Sequence, residues 1–86
     1  MSESTERTTV FKAPRGGVMT KEAGVVTGQL ELATDAAADG TLTLRVRYDG
    51  AAEWYTIEGG PFVLHDPRDH EVLHDVLISL LHRPQP

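Results

Sequence analysis

The stretch TLTLRVRY at positions 41 to 48 alternates strictly, with Leu42, Leu44, Val46 and Tyr48 on one side and Thr41, Thr43, Arg45 and Arg47 on the other. A period of two fits the pleat of a β-strand with one dry face and one wet face, and a helix cannot bury it. Asp49-Gly50 follows, a pair that supplies the positive φ of a tight hairpin, so the chain turns back and Glu53 to Ile57 reads as the returning strand. An antiparallel sheet with one buried face is therefore the frame into which the rest of the chain must fit.

Upstream, Val26, Gly28, Leu30 and Leu32 alternate with Thr27, Gln29 and Glu31, which predicts a second strand from Val25 to Leu32 and a loop from Ala33 to Gly40. Thr9 to Ala13 reads as a short edge strand ended by the turn residues Pro14-Arg15-Gly16-Gly17. The polar, aperiodic residues 1–8 are expected to be a tail, leaving 9–86 as one small domain. Glu58-Gly59-Gly60-Pro61 is a further turn, and Phe62 to Leu64 a last short strand. The expected fold is α+β: an antiparallel β-meander of four to five strands with one C-terminal α-helix packed on one face.

Loop length at Asp49-Gly50 decides where Trp54 points. A two-residue loop pairs Arg45 with Trp54 and turns the indole outward, over a cation. A three-residue loop pairs Val46 with Trp54 and buries it. The second is preferred, because it sets Arg47 opposite Glu53 and keeps Glu53 off Val46. With the indole outward, Arg45, Arg47, Trp54 and Tyr55 form a candidate ligand or partner surface.

The segment HDPRDHEVLHD, from His65 to Asp75, opens a helix: Asp66 caps, Pro67 takes the first position where its missing N–H costs nothing, and Asp69 and Glu71 favour the positive end of the dipole. The helix is predicted to run from Pro67 to about Arg83 and to stop at Pro84. His70 and His74 are one turn apart on one face, and His65 precedes the cap, so the three imidazoles are a candidate metal site. The string HEVLH resembles the zinc metalloprotease helix motif, which implies zinc held by His70 and His74 with Glu71 as general base. The match spans five residues, and under it the third ligand would be His65 or Asp75.

At about 100° per residue with Val72 at zero, Val76, Leu80, Leu73, Leu77, Leu81 and Ile78 spread over roughly 240°, where one sheet face needs little more than about 100°. His70 and His74 fall near 160° and 200°. Two expectations compete for the surplus. Either the arm Val10 to Met19 folds back over it, or a second copy covers an interface centred on His74, Leu77, Ile78 and Leu81.

Composition bounds the function. With 86 residues and no cysteine, the chain has room for one small core and carries no disulfide, thiolate nucleophile or Cys-type metal site. The net charge of −5 argues against nucleic-acid binding, and no apolar run reaches the roughly 20 residues of a membrane span. An export signal is not evident, so a cytoplasmic setting is expected; the excess of Arg over Lys suggests a bacterial source. The leading expectation is a non-enzymatic, homodimeric interaction or regulatory module without a cofactor. The alternatives are a metal-binding protein, with zinc at His65, His70 and His74, and a small-ligand binder lined by Tyr48, Trp54, Tyr55 and Phe62 between subunits.

Overall fold

A central strand of small residues organises the sheet. The structure, a computed structural model, describes residues 4–83. Strand β1 (Ser4–Lys12) is separated from the later strands by a short hairpin of β2 (Val18–Thr20) and β3 (Gly24–Val26). β4 (Gln29–Ala37) then runs through the middle, antiparallel to β1 on one side and to β5 (Thr41–Tyr48) on the other. The far edge of β5 is shared by two short strands, β6 (Tyr55–Thr56) and β7 (Phe62–Val63). A 3-10 turn (Pro67–Asp69) leads into the helix α1 (His70–Leu81). The result is a five-stranded antiparallel sheet with one C-terminal helix, as the alternation and the Asp66-Pro67 start require.

Four local expectations give way. The strand expected to run unbroken from Val25 to Leu32 is split, its first residues pairing with β2 in a separate two-stranded sheet and its last belonging to β4. Residues 33–37, read as loop, form the second half of β4: Ala33, Thr34, Asp35, Ala36 and Ala37 have little strand propensity of their own, but ladders on both sides hold them. That longer partner also draws in residues 4–8, expected as tail, so β1 starts at Ser4; residues 1–3 lie outside the described residues. Finally, the pairing of Val46 with Tyr55 and of Arg45 with Thr56 means that the connection after Tyr48 is longer than two or three residues. The Ala51 amide donates to the Tyr48 carbonyl at 2.8 Å, and Trp54 falls opposite Arg47 on the outer face instead of entering the core.

The dry side of the sheet carries Phe11, Leu30, Leu32 and Val46, all at most 1% exposed. Gly28, at φ 91, lets the chain break between β3 and β4, and the β2–β3 hairpin folds over this side with Val18 and Val26 inward. Leu77, Ile78 and Leu81 of α1 pack against the same cluster. The arm therefore does cover that part of the helix, since Phe11, Ala13 and Val18 are among the residues it meets. The helix end is also tied to the edge of β1. The Lys12 amide donates to His82 Nδ1 at 3.0 Å, and the Arg83 amide donates to the Lys12 carbonyl at 2.9 Å.

Candidate functional site

The floor beneath the first turns of α1 is polar. Register places Arg7 beside Thr34 and Thr9 beside Leu32, so β1 and β4 present Arg7, Thr9 and Thr34 on the side that carries Phe11 and Leu30. Aliphatic side chains laid there would strand the threonine hydroxyls. Histidines do not, and α1 turns toward the sheet the face that bears His70 and His74, which are 2% and 3% exposed.

A continuous hydrogen-bonded chain results. His70 Nε2 lies 2.6 Å from Thr34 Oγ1, which lies 2.8 Å from His74 Nδ1, and His74 Nε2 is 2.8 Å from Thr9 Oγ1. A hydroxyl carries one proton and a neutral imidazole one N–H, so when Thr34 spends its proton on one of the two imidazoles the donors run in one direction. If His70 Nε2 donates to Thr34, then Thr34 donates to His74 and His74 donates to Thr9. The one atom left over is then His70 Nδ1, a bare acceptor buried without a partner among the described residues. Protonating His74 reverses this order. Both its nitrogens then donate, the Thr34 hydroxyl must turn to His70 Nε2, and the His70 N–H is displaced to the partnerless Nδ1. Burial, and then the neighbouring His70, hold the His74 pKa below its ordinary value.

The expected metal constellation is not assembled. His65 stays exposed outside this chain, while the facing nitrogens of His70 and His74 are spent on threonine. Among the described residues no group of three or more His, Asp or Glu side chains is arranged to hold a metal ion. Glu71, the would-be base, is exposed and pairs with Arg7 at 3.4 Å. Asp66 behaves as the cap it was read to be. It accepts from the Arg68 amide at 2.9 Å and pairs with the Arg68 guanidinium, contacts that lower its pKa to about 2.

The outer-face residues are drawn into internal pairs. Arg47 donates to Glu31 at 2.7 to 2.8 Å and lies 4.5 Å from the Trp54 ring centre, and Arg45 lies 3.6 Å from Glu6. Tyr55 is half-buried on the opposite face, where its hydroxyl donates to Glu53 at 3.3 Å; burial and that carboxylate raise its pKa. Arg45, Arg47, Trp54 and Tyr55 therefore do not form one open surface.

The positions expected at a subunit interface face the protein's own core. His74 is buried, and Leu77, Ile78 and Leu81 belong to the packed side of α1. The exposed apolar residues lie on the other side: Val72 at 65%, Val76 at 46% and Leu80 at 64%. Beside them runs a groove of about 490 Å³ between α1 and β7, walled by Leu42, Leu44, Phe62, Leu64, Leu73 and Leu77. Of the aromatic residues proposed to line a ligand site, Phe62 alone lines this groove. The signal missed in the sequence is the polar floor, which a loop over residues 33–40 conceals by leaving Thr34 off the sheet. Once Thr34 is on a strand, the histidines have a reason to face inward and the valines do not.

Among known proteins no family model, no curated protein and no solved structure matches the chain.

Proposed function

We propose that this chain is a non-enzymatic interaction module, cytoplasmic and homodimeric, whose contact surface is the outward stripe of α1. One observation carries the reading: Val72, Val76 and Leu80, spaced four apart, stand in solvent on one helix face and run through Leu73 into the apolar groove beside β7. Isolated apolar side chains on a surface are ordinary, whereas a continuous apolar strip on so small a domain marks a place where another surface seats. A domain of 86 residues gains stability from an interface, and twofold dimers are the commonest assemblies. The histidine pair supports a structural role, since its facing nitrogens are engaged by threonine hydroxyls. No helix among the described residues is long and apolar enough to cross a membrane, which fits a contact made in water.

Sedimentation tests the reading. Wild type at tens of micromolar should sediment at twice the 9.4 kDa chain mass and dissociate on dilution. Val76→Glu should sediment as a monomer with an unchanged circular dichroism spectrum, because the side chain is already half in water. A wild-type chain that stays monomeric, or a variant that associates equally well, would remove the proposed surface.

A further inference from the structure

We infer that the surface in question receives a second copy of this chain with the two helices antiparallel, related by a twofold axis that passes beside Val76. The inference rests on the interaction reading above and adds its geometry.

Charge is the first argument. The N-terminal end of the helical segment carries Asp66, Asp69 and Glu71 against Arg68 and the Arg7 of β1 that pairs with Glu71, and so stays net negative, while His82 and Arg83 follow its last turn. Two parallel helices would bring acidic end to acidic end and align their dipoles, and both effects oppose association. Turned antiparallel, each acidic end lies over the partner's Arg83, and the dipoles oppose one another. The complementarity is contained in one sequence, so it favours a copy of this chain over an unrelated partner.

The stripe itself is the second argument. Taking Val76 as the origin, Val72 and Leu80 lie about 40° to either side of it, and Leu73 and Ser79 about 60° to either side. A twofold axis at Val76 therefore pairs Val72 with the partner's Leu80, and Leu73 with the partner's Ser79, whose hydroxyl is folded back to the Asp75 carbonyl at 2.8 Å. The rows on either side of the Val76 pair then each set a larger side chain against a smaller one, the alternation that lets helix ridges interlock. A parallel pair would set Leu80 on Leu80 and Val72 on Val72, wide at one end and loose at the other.

The absence of cysteine makes the arrangement directly readable, because each introduced thiol reports only on itself. Val76→Cys should form a covalent dimer under mild oxidation, on the order of tenfold faster than Thr27→Cys, an exposed site outside α1. Val72→Cys and Leu80→Cys should each link poorly alone, because antiparallel mates at those positions stand about 12 Å apart along the axis, beyond the roughly 7 Å reach of a disulfide. Mixed in equal amounts, those two variants should link to each other. If Val72→Cys and Leu80→Cys instead link with themselves as readily as Val76→Cys, the dimer is parallel and only the geometry fails. If no variant links while wild type still sediments as a dimer, another surface is in use and the stripe is excluded. If wild type sediments as a monomer, the interaction reading falls as well.

Discussion

Replacing Thr34 with valine should lower the unfolding free energy by about 2–4 kcal/mol, a large part of what a domain of this size possesses. The swap keeps the shape and removes one hydroxyl, but that hydroxyl is the shared partner of His70 Nε2 and His74 Nδ1, both buried under the helix. Each orphaned nitrogen costs about 1–3 kcal/mol, because it gave up water on folding and regains nothing. Thr34→Ser, which restores the hydroxyl, should recover most of the loss in urea unfolding. A triple variant that combines Thr34→Val with His70→Leu and His74→Leu should also be far better tolerated than Thr34→Val alone, since it removes every member of the pairing around that hydroxyl instead of one. Equal destabilisation by the valine and serine variants would show that packing at this position, and not the hydrogen-bonded chain, is what matters.

Acidification should also destabilise the fold through the same residues. The folded protein holds His74 below its ordinary pKa of 6.5, so the native state resists a proton that the unfolded chain accepts. The sign follows from linkage. Above about pH 6.5 neither state is charged there, and the full stability is present. As the pH falls below that value the unfolded state gains protons the native state does not, and stability declines by at most about 1.4 kcal/mol per pH unit for this one group. Thermal unfolding of a His74→Gln variant should show a flatter profile between pH 6.5 and 5 than wild type. Parallel profiles for the two proteins would remove His74 as the cause. Glu71 and Asp75 on the helix and Arg7 on β1 flank the pair; Asp75 favours the charged imidazole and Arg7 opposes it, so burial decides the direction. Because α1 carries the proposed contact stripe, loosening the helix in acid should also weaken self-association.

What could be read in advance divides along physical lines. The strand from Thr41 to Tyr48 announced itself because its two faces differ in polarity at every step, and the observed burial of Leu42 and Val46 follows that pattern. The start of the helix was equally plain, since Asp66 and Pro67 act through local backbone chemistry that needs no tertiary partner. β4 beyond Leu32 was illegible because alanine, threonine and aspartate declare nothing by themselves, and only the ladders to β1 and β5 make them a strand. The outward indole of Trp54 depended on loop length, which Asp49-Gly50 underdetermines.

The helix face shows the limit most clearly. Judged by hydropathy, a valine and leucine stripe should be buried and a histidine pair exposed; the structure does the reverse, because the sheet below offers Thr9 and Thr34 to the imidazoles. The inward arc runs from Leu77 through His70, Leu81 and His74 to Ile78, and the residues left over are those opposite it. The surplus of apolar surface was legible in the sequence, and its side of the helix was not.

The measurement closest to this account is the imidazole nitrogen spectrum of His74 in the intact protein, followed from pH 8 to pH 5. With its histidine face inward, α1 should hold neutral His74 in a single tautomer with a slowly exchanging ring proton, and should make it titrate below the 6.5 of a free imidazole. A His74 signal that titrates at 6.5 with averaged tautomers would mean that α1 packs by another face, and the outward stripe, the threonine chain and the twofold pairing would all be contradicted.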